Sequence, residues 1–324
     1  MRVGAGGVVD AWLVWLRETG SMLSDELRQV AAALGARVID VEVLAGGFSH
    51  QTFLLTLTDG RVVVRLGGPD HGIEAAVMAV ARRYVPVPRV LKVVGSSTRP
   101  AMVLEYVAGT PLSQVLADGT ALRGLGAEVG RIAATISSAT FDRPGFFADA
   151  ELSVKPERPW SQQLPEFSAE CMDRVPSTRL DTVTRKAWAD LCAAHAPALA
   201  DVDDQARLVH SDLNPKNILV TRTGRGWRVD AVLDWEFSYS GCPYADAANM
   251  TRFGADYPND FLDGFRAAFA DNLPSDLTAE DWLYLGRVLD MFALSSLATE
   301  EHPIADQAAR EIRRWVADGL PDSR

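Results

Sequence analysis

Residues 208–220 read Leu208-Val209-His210-Ser211-Asp212-Leu213-Asn214-Pro215-Lys216-Asn217-Ile218-Leu219-Val220, and residues 231–236 read Ala231-Val232-Leu233-Asp234-Trp235-Glu236. Each stretch opens with an apolar lead-in and then delivers polar side chains. The first delivers His210, Asp212 two residues on, and Asn217 five beyond that; the second delivers Asp234. Leu213 and Pro215 can pin the loop between these groups, and Ile218 to Val220 can anchor its exit in a core.

Upstream of this pair the texture is that of an antiparallel sheet. Val38 to Leu44, Gln51 to Thr58 and Arg61 to Leu66 read as strands, broken by Ala45-Gly46-Gly47-Phe48-Ser49 and by Asp59-Gly60, a strong hairpin signal. A helix is predicted over Ile73 to Tyr84, opening with Glu74. Val85-Pro86-Val87-Pro88 then forces extended backbone, because each proline excludes helix at the residue before it. Val90 to Val94 and Ala101 to Tyr106 form a second strand pair. After Gly109 the pattern lengthens into helices: Leu122 to Ser137, Thr182 to His195, Asp260 to Asp271, Ala279 to Leu297 and Ile304 to Ala317. Residues 148–165 read as a connecting loop. The fold class expected is α+β and two-lobed, with an N-terminal antiparallel sheet carrying one main helix (22–107) and a larger, mostly helical C-terminal lobe (108–324).

Residues 1–21 do not fit a signal peptide. Asp10 interrupts the apolar run, Arg2 alone supplies a basic start, and Arg17-Glu18-Thr19 stands where small cleavage-site residues should. Met22 begins a more ordinary start, with Ser24 as N-cap of a helix over Asp25 to Leu34. The first 21 residues therefore read as an over-extended start or a loosely attached arm. No apolar run reaches bilayer-spanning length. Three cysteines, Cys171, Cys192 and Cys242, are too few and too irregularly spaced for a disulfide framework, so a reducing, cytoplasmic compartment is expected and all three read as packing residues. Net charge is −11, and its distribution is uneven: residues 22–107 hold nine Lys/Arg and eight Asp/Glu, residues 108–324 hold 21 and 33. Such a field repels nucleic acid and attracts cations, although acidity also serves solubility. No nucleic-acid, membrane or obligatory protein partner is expected.

The parts in the two quoted stretches are those that phosphoryl transfer needs. An Asp orients the attacking hydroxyl and takes its proton, while an Asn amide oxygen and a second Asp bind the magnesium that neutralises the phosphates. Asp212 is the candidate base, with Asn217 and Asp234 the candidate metal ligands. His210 reads as a structural residue that hydrogen-bonds the loop or the segment around Asp234. Lys216 divides evenly between a phosphate contact and a solvated loop lysine.

The combined motif, His-Ser-Asp-Leu-Asn-Pro-Lys-Asn with Leu-Asp-Trp-Glu, resembles the aminoglycoside phosphotransferase and choline kinase-like superfamily over roughly residues 38–300. Two departures stand out. Ser211 replaces the usual glycine after the histidine, and Lys216 often a small residue. The resemblance implies the protein-kinase-like fold, ATP or GTP with Mg2+, and an alcohol acceptor on a small molecule. It assigns Gly46, Gly47 and Ser49 to a phosphate-covering turn, and Arg65 to the nucleotide phosphates with Glu74 as its ion-pair partner. It also makes Leu104, Glu105 and Val107 the adenine-facing hinge, and leaves Asp246 to cap a helix and brace the catalytic loop.

For the acceptor, the acidic C-terminal portion points to a cation, most simply an aminoglycoside or basic peptide antibiotic whose modification confers resistance. Glu236, Asp256, Asp290, Glu300 and Glu301 are the candidate contacts. Choline or another amino alcohol, a macrolide, or a non-catalytic binding role are the alternatives. The last would be expected to lose Asp212, Asn217 or Asp234, and all three are present.

Overall fold

The computed structural model describes residues 26–44, 50–95, 99–119 and 122–320. Among them the chain divides into two compact units: one takes the residues up to Ala75 with Pro88–Tyr106, the other Ala76–Val87 with the described residues from Val107 onward.

In the first unit, β1 (Val38–Leu44), β2 (Gln51–Leu57), β3 (Gly60–Leu66), β4 (Val90–Val94) and β5 (Ala101–Glu105) make one antiparallel sheet in the order β1-β2-β3-β5-β4. The strand period explains its core. Phe53, Leu55 and Leu57 on β2 share a face with Val62, Val64 and Leu66 on β3 and Ala101 and Val103 on β5, and helix α1 over 26–34 covers that face with Leu27, Val30 and Ala31. The expected Ser24 cap and the turn of Gly46, Gly47 and Ser49 lie outside the described residues. Helix α2 (His71–Ala81) starts two residues before its predicted position, where Asp70 Oδ1 accepts hydrogen bonds from Gly72 N and Ile73 N.

The second unit begins inside what the sequence assigns to the first. Pro86 O accepts from Val232 N at 2.9 Å, which ties the proline segment to a strand almost 150 positions later. Its elements are β6 (Thr110–Pro111), α3 (Leu112–Asp118), α4 (Arg123–Ile136), β7 (Gly145–Phe146), α5 (Trp160–Arg174), α6 (Thr182–His195), β8 (Arg207–Val209), β9 (Ile218–Thr223), β10 (Gly226–Val232), β11 (Tyr239–Gly241), α7 (Tyr244–Thr251), α8 (Asn259–Asp271), α9 (Trp282–Leu297) and α10 (Ile304–Asp318). Two small sheets, β10-β9-β6 and β7-β11-β8, sit among the helices. An α+β fold with an antiparallel-sheet unit and a mostly helical unit is what the sequence predicts.

Helix α5 is the longest element the sequence reading misses, its first turns falling in the expected loop 148–165. Pro165 lies in its second turn, yet Leu164, Ser168, Cys171 and Met172 are buried at helical spacing and hold the helix in place. Helices α4 and α8 pack through glycine: a Cβ at Gly126 would stand 2.0 Å from Phe261 O, one at Gly130 2.3 Å from Phe265 O, and one at Gly264 2.1 Å from Arg123 O. Cys171, Cys192 and Cys242 are all buried and none is in a disulfide. No helix among the described residues is long and apolar enough to cross a membrane.

Candidate active site

Strand β8 ends at Val209 and β9 begins at Ile218, so residues 210–217 are a loop clamped between two strands with buried side chains. The loop folds on its own amides. Asn214 Nδ2 donates to Asp212 Oδ1 at 2.9 Å and Asn217 Nδ2 donates to Asp212 Oδ2 at 2.8 Å, so each carboxylate oxygen has one donor. Asn214 Oδ1 accepts from Lys216 N and caps the 3₁₀ turn Pro215–Asn217 that brings Asn217 back over Asp212. Sequence reading passes over Asn214; its signal is the Asn-Pro turn pair. Lys216 is exposed.

His210 is 0 % exposed and joins the two quoted stretches. Its Nε2 lies 2.8 Å from Leu233 O, an acceptor, so Nε2 carries the proton and Nδ1 accepts from Asp212 N at 3.2 Å. Burial lowers its pKa to about 4, which keeps the ring neutral and in this tautomer at neutral pH. Leu233 N donates in turn to Asn217 O at 2.8 Å, and the Trp235 ring packs 4.4 Å from that of His210. The segment carrying Asp234 is thereby fixed to the loop carrying Asp212 through both backbone groups of one residue, Leu233.

Asp234 has φ 68° and Ser211 φ 70°, both in the left-handed region that non-glycine residues avoid. Helix α7 enforces the second. Asp246, 0 % exposed, accepts from His210 N and Ser211 N at 2.9 Å each. Because α7 begins at Tyr244, Asp246 sits within its first turn and makes no N-cap bond; the expected cap acts on the loop instead. Burial first, then the Asp212 charge, raises the Asp246 carboxyl to about 7 against the pull of those two amides. The strain at Ser211 has a measurable cost. Ser211→Gly is expected to raise unfolding free energy by about 1 kcal/mol in urea titrations; a lower midpoint would mean that the serine side chain contributes more than its backbone costs.

The Asp212 carboxyl is raised to about 6, first by burial and then by the Asp234 charge, with Asn214, Arg252 and Asn217 opposing. Arg252 is held by Asp290, whose Oδ1 accepts from Arg252 Nε at 2.9 Å and Nη2 at 2.6 Å. The expectation that Asp290 contacts an acceptor therefore meets a carboxylate that is 2 % exposed and committed to an internal guanidinium. Two repelling carboxylates beside an amide whose nitrogen is already engaged form a hard-oxygen donor set. Asn217 turns its nitrogen to Asp212 and so leaves its oxygen for the other side. That set suits a divalent cation such as magnesium. Glu236 is half-buried, while Asp256, Glu300 and Glu301 are exposed; nothing in their surroundings groups the last three into a site.

In the first unit, Arg65 Nη1 donates to Glu74 Oε1, the pairing the resemblance implies, and the two side chains are 5 % and 2 % exposed. His50 Nδ1 lies 2.8 Å from Arg65 Nη2 and must be the acceptor, since a guanidinium only donates. His71 Nδ1 stands 3.8 Å from Glu74 Oε2. Neither histidine was visible as a site residue. Leu104 is buried on β5, opposite Val63. The Glu105 side chain accepts from Arg89 N at 2.9 Å and from Arg89 Nε at 2.7 Å, so it braces β4 against β5. Val107 opens the longer segment of the second unit and is half-buried.

Residues 40–283 match the phosphotransferase enzyme family. Comparison with curated proteins finds no match. Among solved structures the chain is similar to aminoglycoside phosphotransferase APH(4)-Ia, with TM-score 0.70 and 17% identity over 92% of this chain and 99% of that one. A thermostable mutant of the same protein, in ternary complex with ADP and hygromycin B, gives TM-score 0.66 and 16% identity over 90% and 98%. A mutant of aminoglycoside 2'-phosphotransferase-IIIa with GDP gives TM-score 0.57 and 17% identity over 88% and 90%. At these identities the likeness is one of fold.

Proposed function

This chain belongs to the phosphotransferase enzyme family, and from that premise we propose that it is an ATP- and magnesium-dependent O-phosphotransferase whose acceptor is a cationic small molecule, an aminoglycoside or basic peptide antibiotic. The observation that carries the reading is the Asp212 carboxylate, held on both oxygens by Asn214 and Asn217 beside the charge of Asp234.

Asp212 is the general base. Its raised pKa makes it a better proton acceptor than a solvated aspartate and leaves it ionised at neutral pH. Asn217 and Asp234 would hold magnesium, which when bound supplies positive charge against the phosphates. Asn214 and His210 fix the base and are not consumed. Arg65, oriented by Glu74, takes the nucleotide phosphates with its planar fork, Gly46, Gly47 and Ser49 cover them, and Leu104, Glu105 and Val107 border the base. Complexes of APH(4)-Ia with ADP and of the 2'-phosphotransferase with GDP support a purine nucleotide donor.

Support for a cationic acceptor comes from the negative surplus of residues 108–324 and from hygromycin B in the APH(4)-Ia complex. Glu236, two residues past Asp234, is the acidic side chain best placed to meet it. One observation favours the amino-alcohol reading. Strand β11 pairs with β8 immediately before the catalytic loop, and its Tyr239 belongs to a ring cluster with Phe146 at 5.6 Å and Trp160 at 5.4 Å, extended by Phe292. Such faces attract alkylated ammonium groups. Purified protein with ATP and magnesium is to be screened against aminoglycosides, basic cyclic peptides, macrolides, choline and other amino alcohols. Transfer to an aminoglycoside or basic peptide is the expected result, transfer to choline alone selects the second reading, and failure of every amine-bearing acceptor overturns both.

A further inference from the structure

We propose that Asn249 is a positioning residue for Asp212, acting through the peptide between Ser211 and Asp212; this rests on the reading of Asp212 as the base. That peptide is held at both ends. Its oxygen, Ser211 O, accepts from Asn249 Nδ2 at 2.7 Å, and its N–H, Asp212 N, donates to His210 Nδ1 at 3.2 Å. A peptide is planar, so two fixed ends set the direction in which the Asp212 Cα and its carboxylate leave the loop.

Asn249 lies three residues after Asp246 on α7, which puts both on one face of the helix. The two divide the work. Asp246 takes the amides on the near side of Ser211, and Asn249 takes the carbonyl on the far side. Between them they impose φ 70° on a serine. Without the Asn249 bond, a half-buried carbonyl loses its donor in a residue that already prefers another conformation. Rotation of that peptide relieves both and carries Asp212 out of register with Asn214 and Asn217.

A second observation separates this from ordinary packing. Asn249 is 6 % exposed, and its Oδ1 has no hydrogen-bond partner among the described residues. A buried amide oxygen left unpaired is costly, and an apolar residue of similar size would avoid that cost. The one bond its nitrogen makes goes to the residue that precedes the base.

The test uses the full chain with Asn249→Ala, and two readouts. Amide hydrogen exchange needs no acceptor: His210, Ser211 and Asp212 are expected to exchange about 10- to 100-fold faster, with α4 and α8 unchanged. Unaltered exchange at those three amides overturns the clamp. Turnover is read with MgATP and whichever acceptor the screen yields, or with water as acceptor. Its kcat is expected to fall roughly 10- to 100-fold while KM for MgATP stays within about twofold. Adding Ser211→Gly should recover much of that loss, because glycine adopts the left-handed conformation without enforcement. A kcat within about twofold of wild type, or a loss that Ser211→Gly leaves untouched, overturns the proposal. Asn249→Leu replaces alanine if the smaller side chain prevents folding. Should wild-type protein transfer phosphate to nothing, the assignment of Asp212 fails, while the exchange experiment still judges the clamp.

Discussion

Asp212→Ala is expected to lower turnover by roughly 10²- to 10⁴-fold, the usual contribution of a positioned general base, with little change in KM for MgATP. The variant should keep its fold and equal or exceed wild type in thermal stability. In the native loop this carboxylate is pushed up to about 6 by burial and by Asp234, so the ionised form is an electrostatic burden that alanine removes. The sign can be followed through pH. A carboxyl with a raised folded pKa contributes stability that is fully present below its ordinary range near 4 and lost as pH rises through about 6. In EDTA, wild-type protein should therefore lose stability between those limits relative to the variant. Activity runs the other way, since only the ionised base accepts a proton, and kcat/KM should fall on acidification below about 6. Normal turnover by Asp212→Ala would sink the assigned mechanism whatever the stability result.

The largest stability loss is expected at the crossing of α4 and α8. Gly126→Ala places a methyl 2.0 Å from the carbonyl oxygen of Phe261, and that oxygen belongs to a helix whose Phe261, Phe265 and Phe269 are each 0 % exposed. The helices must separate or the variant must unfold. A loss of about 3 kcal/mol or more follows, at the upper end of overpacking costs. Gly124, two positions earlier on α4, supplies the control. It is exposed and nothing stands within 4 Å of its would-be Cβ, so Gly124→Ala should gain up to about 1 kcal/mol from helix propensity alone. Equal effects at the two sites in chemical denaturation would refute the close approach.

Local pattern carries much of this protein. Strand alternation gives β1 and β4 to the residue, the helical period gives α6, and the two quoted stretches supply Asp212, Asn217 and Asp234 as candidates because each lies within a short strand-loop unit. Arg65 and Glu74, nine positions apart, are paired by the family resemblance and not by spacing. What escapes is set by partners distant in sequence. His50 beside Arg65, Asn249 on Ser211 O and Asp290 under Arg252 have no signature in spacing; the last reads as an acceptor contact until the fold buries it. Pro165 hid α5 because the proline rule weighs one residue, whereas the helix is held by a buried face of several. The glycines of α4 read as weak helix formers, and only the position of α8 explains them.

The three buried thiols have a practical consequence. Burial holds the ionisation of Cys192 and Cys242 at about 12 and raises that of Cys171, so each is protonated, unreactive and shielded while the chain stays closed. Alkylation must then wait for an opening event. Cys171 and Cys192 mark the α5 and α6 packing, and Cys242 marks the turn into α7, whose Asp246 braces the loop of residues 210–217. The rates at which the three are capped form a natural clock of breathing motions, read by mass spectrometry without adding a probe.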